Sequence, residues 1–327
     1  MIEKIEPLPK IPSILRAAAL QRKIIPFIGS GVSQLGGCPG WEGFANGALS
    51  YFVETGKLNH AQFDQISNMP PRVKLSFALE LEKQYDLSID FGKILRLSGA
   101  KQKIGDKFYA DLAMLATTFV TTNYDTLLDE IPPAAFQSAH MHSMSTPPIL
   151  ARQLYYKKED LILANLDTKN AVFHIHGYVH HRNSMILTTP QYLERYASHS
   201  IRQGGNENPF LTFLEFLFKL KNVLFIGYGL EEFEILEYVL QKGIKPNNNK
   251  LEEPQHYVLK GFFSHELELA RSFESHFKQF GIGLLPYSKD HHNRNQLLKV
   301  MDYFAKEIPA GPGLVLSERF EMENLLK

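Results

Sequence analysis

The segment Ile24-Ile25-Pro26-Phe27-Ile28 is an unbroken apolar run that leads directly into Gly29-Ser30-Gly31-Val32-Ser33. A continuous apolar run of this length suits a strand covered on both faces, as in a parallel sheet. The pattern recurs. Thr118–Thr121, Val172–Ile175, Met185–Leu187, Val223–Ile226, His256–Leu259 and Ile282–Tyr287 are further candidate strands, separated by longer stretches with helical spacing. This alternation predicts an α/β protein with a Rossmann-like, mainly parallel sheet and helices on both faces.

Between the first two candidate strands, residues 41–107 contain no convincing strand. Asn59–Ile66, Arg72–Tyr85 and Ser88–Leu97 place apolar residues at helical intervals, so the stretch reads as a helical insertion beside the sheet. Gln191–Lys221 reads as helical too, and its stripe of Phe210, Phe213, Leu214, Leu217 and Phe218 predicts a helix packed on the sheet. His265–Phe280 and Asn293–Ile308 read as closing helices. Residues 1–308 are thus expected to form one catalytic domain. The tail 309–327, interrupted by Pro and Gly, suits contact with a partner or another copy of the chain.

Composition excludes several classes. The 35 basic residues balance 35 acidic ones, which gives no global electrostatic case for nucleic-acid binding. No run approaches the ~20 apolar residues of a membrane span, and the N-terminal residues lack a signal-peptide core. A cytoplasmic protein is expected. The single cysteine, Cys38, excludes an intramolecular disulfide and a zinc ribbon built from several cysteines. His140 with His142, and His180 with His181, lack a recognised ligand spacing, so no metal is expected.

Four strand ends carry the chemistry. Gly29 and Gly31 allow a tight turn whose N–H groups approach a pyrophosphate, with Ser30 and Ser33 as further donors. The third glycine of the usual dinucleotide fingerprint is not at its offset. Trp41, the only tryptophan, follows in a Gly-rich loop and suits either the core or a ligand wall. Thr122-Asn123-Tyr124-Asp125 ends the second strand, where carboxyl ends of parallel strands line the ligand crevice. Asp125 also suits the cap of a helix over 126–129. His174 and His176 share one face of the next strand; His176, beside Gly177, is placed to reach the crevice, whereas His174 reads as a core histidine. Gly227-Tyr228-Gly229 forms a second glycine turn after another buried strand.

In this order the four elements resemble the sirtuin superfamily, and its bacterial zinc-free, sirtuin-like NADase branch in particular. Gly29-Ser30-Gly31-Val32-Ser33 is similar to the family's Gly-Ala-Gly-Ile-Ser loop, and Thr121-Thr122-Asn123-Tyr124-Asp125 to its Thr-Gln-Asn-Ile-Asp. His174-Ile175-His176-Gly177 stands where the family has Glu-Leu-His-Gly, and Gly227-Tyr228-Gly229 where it has the late ribose-binding turn. The resemblance implies NAD⁺ as substrate, hydrolysed to nicotinamide and ADP-ribose. It implies that Asn123 holds the ribose or the attacking water, that Asp125 orients the carboxamide or ribose, and that His176 is a general base. Gly29, Ser30, Gly31, Val32, Ser33, Trp41, Thr122, Gly227, Tyr228 and Gly229 would bind the dinucleotide. Proteins of this branch serve antiphage defence by abortive infection, often as homo-oligomers, some with a HerA-family ATPase or another phage-sensing partner. The missing cysteines, and the lack of a recognisable peptide cleft, point away from deacylation. An NAD-dependent deacylase or ADP-ribosyltransferase is one alternative; a non-catalytic nucleotide-sensing scaffold is the other.

Overall fold

The apolar runs form the centre of a seven-stranded sheet. The computed structural model describes residues 2–96, 100–132, 135, 151–196, 208–228, 254–290 and 295–309. The strands are β1 (Ile24–Ile28), β2 (Phe119–Thr121), β3 (Gln153–Tyr155), β4 (Ala171–His174), β5 (Asn222–Ile226), β6 (His256–Phe262) and β7 (Ile282–Ser288). Their order is β3-β4-β2-β1-β5-β6-β7, and every neighbouring pair is parallel. This is a Rossmann-like α/β fold.

Alternation along the strands divides the core in two. Ile25, Phe27, Phe173 and Phe225 face one side, where they meet the fully buried stripe of α9 (Pro209–Leu220) and the inner face of α10 (Leu267–Lys278). Ile24, Ile28, Val172 and Leu224 face the other, against α1 (Ser13–Leu20), α7 (Ala100–Leu115) and α11 (Gln296–Glu307). Both faces are covered, which is why the strands read as continuous apolar runs.

From β1 the chain moves to β2 on one side and later returns as β5 on the other, so β1 and β5 flank the topological switch point. There the backbones interlock. The Gly29 N–H donates to the Ile226 carbonyl at 3.0 Å, and the Gly31 N–H to the Gly227 carbonyl at 2.9 Å. A Cβ on Gly29 would lie 2.5 Å from both Gly227 O and Tyr228 Cα. Only glycine fits.

Residues between β1 and β2 are helical: α2 (Ser30–Leu35), α3 (Trp41–Glu54), α4 (His60–Ser67), α5 (Pro71–Tyr85), α6 (Phe91–Ile94) and α7. Asn59 and Gln62 close a reciprocal capping box on α4, and Pro71 opens α5. Phe44, Leu49 and Phe52 of α3 pack with Leu75 and Ala78 of α5 in a third apolar cluster, which Tyr124, Met185 and Leu187 join. Two buried charges are paired inside it. Lys74, fully buried, holds Glu42 and donates to Asn46 Oδ1 at 2.8 Å; Glu82 accepts from the Ile89 N–H at 2.5 Å and pairs with Arg182.

Several local expectations change. Met185–Leu187 is buried but is no strand: one bond, Ile186 N–H to His176 O at 2.9 Å, ties it to the end of β4 where no ladder continues. The edge strand β3 is too short to give a periodic signal. Residues 126–129 form a turn rather than a helix. Among the described residues, the apolar spacing over 88–96 yields the single-turn α6, and the predicted helical region 191–221 holds α8 (Thr189–Tyr196) and α9. The tail 310–327 lies outside the described residues. Among those described, no helix is long and apolar enough to cross a membrane.

At the β7 edge the N-terminal segment acts as a strap. The Ser288 N–H donates to Glu6 O at 2.8 Å, Gln296 Nε2 to Pro7 O at 2.7 Å and Arg271 Nε to Ile2 O at 2.9 Å.

Two stability predictions follow from the sheet. Gly29→Ala should destabilise the protein by roughly 1–3 kcal/mol or more, read as a lower urea midpoint, because the methyl meets backbone that cannot turn aside. His256 at the start of β6 accepts from the Val223 N–H at 3.2 Å, and burial lowers its pKa from 6.5 to about 4. The unfolded chain therefore binds a proton that the native state refuses between those values, so this stability is present above pH 6.5 and is lost as pH falls. Denaturant titrations should show about 2 kcal/mol lost from this group between pH 7 and pH 5, and a flatter slope in His256→Gln.

Candidate active site

A cavity of about 580 Å³ opens at the carboxyl ends of the central strands. Gly29, Ser30 and Ser33 reach it from the end of β1, Thr122, Asn123 and Asp125 from β2, His176 from β4, and Tyr228 from β5. Trp41 and Phe44 of α3, with Pro70, Arg72 and Val73 around the start of α5, build the opposite wall. A crevice at the switch point of a parallel sheet is the usual ligand position in this architecture.

The hydroxyl of Ser33 is the hub of the sheet-side wall. It donates to Asp125 Oδ2 at 2.7 Å and accepts from Asn123 Nδ2 at 2.8 Å. Asn123 Nδ2 also donates to Gly29 O at 3.2 Å, so both amide hydrogens are engaged and fix which end of the amide is which. The turn beyond Asp125 is held by the Leu127 N–H donating to Asp125 Oδ1 at 3.1 Å, and by Arg152 Nη1 donating to the Leu128 and Glu130 carbonyls. Burial raises the pKa of Asp125, while the Ser33 and Leu127 hydrogen bonds pull it back toward the ionised form.

His174 is fully buried, bonded through Nδ1 to Asn123 O and through Nε2 to Asp129 Oδ1, both at 3.0 Å. It is a core histidine that anchors the Asn123 backbone. His176 lies two residues on and lines the cavity, with Nε2 2.7 Å from the Tyr196 hydroxyl and its ring edge-on to Tyr192 and Tyr196. Gly177, at φ +96°, then reverses the chain; a Cβ there would strike Ser184 O at 2.2 Å. The reversal carries Ile186 back past His176, where the Ile186 carbonyl accepts from the Tyr124 hydroxyl at 2.6 Å.

Gly31, Val32 and Gly227 stand behind this wall. The N–H groups of Gly29 and Gly31, expected to face a pyrophosphate, are taken by β5 carbonyls, and the Ser33 hydroxyl is taken by Asp125. Gly229 and the pair His140 and His142 lie outside the described residues. Trp41 both lines the cavity and joins the insertion core, stacking on Phe44 at 5.8 Å.

Cys38 also lines the cavity. Its thiol donates to Leu95 O at 3.2 Å, and burial, with Asp125 nearby, pushes its pKa up to about 12. Both effects favour the protonated thiol over the nucleophilic thiolate. Sequence reasoning missed Arg72, Tyr192 and Tyr196, which sit in helices with no motif around them. Arg72 lies 3.7 Å over the Tyr192 ring. Among the described residues no group of three or more His, Cys, Asp or Glu side chains is arranged to hold a metal.

No curated protein matches the chain by sequence. A family profile described as SIR2-like domain matches residues 117–282, just over half of the chain. That span contains Asn123, Asp125, His176 and Tyr228, while the Gly29–Ser33 turn precedes it. SIR2-like domains use NAD⁺. With the all-parallel sheet and the crevice at its switch point, the match shows that this chain belongs to the SIR2-like family.

Proposed function

We propose that the protein is an NAD⁺ hydrolase that cleaves the nicotinamide–ribose bond to give nicotinamide and ADP-ribose. The observation that carries this reading is the convergence of an amide and a carboxylate from the end of β2 and an imidazole from the end of β4 on one cavity at the switch point. Nicotinamide leaves a cationic linkage as a neutral molecule, and positive charge develops on the ribose; groups that stabilise that charge lower the barrier. With both Nδ2 hydrogens committed, Asn123 has its carbonyl oxygen to offer. That oxygen suits a water, a ribose hydroxyl or the electron-poor anomeric centre. Asp125 retains acceptor capacity beside its two hydrogen bonds and suits the N–H₂ of the nicotinamide carboxamide. His176, with one ring nitrogen held by Tyr196, is the proposed general base toward water or a ribose hydroxyl.

The single cysteine supports hydrolysis over deacylation, since the deacylases carry a four-cysteine zinc site. By the same resemblance we propose a cytoplasmic effector of bacterial antiphage defence, acting as a homo-oligomer with a HerA-family ATPase or another phage-sensing partner.

Purified protein mixed with NAD⁺ alone, over a range of protein concentrations, should release nicotinamide and ADP-ribose. Strict dependence on an acylated peptide, or binding without turnover, would reverse the reading. Asn123→Ala and His176→Ala should each abolish nicotinamide release while circular dichroism stays native; unchanged turnover removes that residue from the mechanism. Ser33→Ala removes a donor that favours ionised Asp125, so the carboxyl protonates at higher pH. The acid limb of kcat/KM should move upward in pH, whereas an unmoved limb would detach Asp125 from catalysis.

A further inference from the structure

A dinucleotide brings two negative charges on its diphosphate, and the cavity must answer them. The glycine loop brings no charge and few donors: the Gly29 and Gly31 N–H groups are spent on the Ile226 and Gly227 carbonyls, which leaves Ser30 as its donor at the cavity. Ser33 gives its hydrogen to Asp125, itself a carboxylate on the same wall. Among the described residues lining the cavity, Arg72 is the one lysine or arginine. Its guanidinium lies 3.7 Å from the Tyr192 ring centroid, and Tyr192 in turn packs edge-on to His176. Stacking uses the face of a guanidinium and keeps its N–H edge in one plane, the geometry that grips phosphate oxygens in a bidentate manner. Pro70 and Pro71 stiffen the turn immediately before it.

We propose that Arg72 is the diphosphate-binding side chain, so that the helical insertion, rather than the glycine loop, supplies the charge that holds the dinucleotide. This rests on the NAD⁺ reading above. It also makes the site selective for substrates that carry a diphosphate over nucleosides with the same scissile bond.

The test compares wild type, Arg72→Gln and Arg72→Lys on NAD⁺ and on nicotinamide riboside, which keeps the bond but lacks the diphosphate. Arg72→Gln should raise KM for NAD⁺ about 10- to 100-fold with kcat nearly unchanged, the loss of one charge-assisted contact. Riboside cleavage should not move, and Arg72→Lys should recover part of the affinity. ADP-ribose binding by calorimetry should weaken by the same factor as KM, which keeps the test decisive when the riboside is a poor substrate. An equal loss on NAD⁺ and riboside, or a kcat loss with ADP-ribose affinity intact, would make Arg72 a brace for Tyr192 and overturn the proposal. An unchanged KM in Arg72→Gln would overturn it too, with the NAD⁺ reading standing. Wild type that binds neither NAD⁺ nor ADP-ribose would remove both.

Discussion

One hydroxyl joins the two halves of the candidate site. Ser33 accepts from the Asn123 amide and donates to the Asp125 carboxylate, and so ties α2, the short helix after β1, to the turn after β2. The bond network is buried, where an unmet amide or carboxylate costs far more than at the surface. Its geometry depends on the glycine interlock between the ends of β1 and β5, which sets the height at which Ser33 emerges. The positions of amide and carboxylate are thus inherited from the sheet register rather than from the flexibility of a loop.

The wall opposite is built differently. It belongs to the helical insertion, whose core includes Tyr124 from the Asn–Asp turn and Met185 and Leu187 from the segment that passes His176. Glu82 of α5 pairs with Arg182 in the same reversal, and Lys74 is buried against Glu42 and Asn46. In each pair one member is buried (Lys74, Glu82) and its partner reaches solvent, so losing the partner leaves a buried charge with its desolvation cost uncompensated. Glu82 with Arg182 therefore ties the insertion to the reversal after β4, whereas Lys74 with Glu42 and Asn46 fixes α5 on α3.

Much of this was legible in the sequence, and the exceptions have physical causes. Strands covered on both faces are continuous apolar runs, so β1, β5, β6 and β7 announce themselves; the Phe210–Phe218 stripe does the same for α9. β3 is three residues at an edge and leaves no period to read. Met185–Leu187 has strand-like composition because it is buried, yet burial alone does not supply a pairing partner. The strand-end motifs brought Asn123, Asp125 and His176 to one cavity, because carboxyl ends of parallel strands share a rim. Ser33 and the two loop glycines were legible as residues but not as partners: the sequence cannot say whether an N–H faces a ligand or a neighbouring carbonyl. Arg72 was not legible at all, since it reaches the site through packing between distant helices.

The strap over β7 bears on how such a sheet survives at high concentration. A terminal parallel strand offers a row of amides and carbonyls that another chain can copy, and proteins blunt such edges with coverings or prolines. Here Pro286 lies within β7, and the Glu6 carbonyl engages Ser288 near its end. The first ten or so residues thus cover this margin of the sheet: trimming them would open the β7 edge to another chain and uncover the part of the core that Ile5 closes.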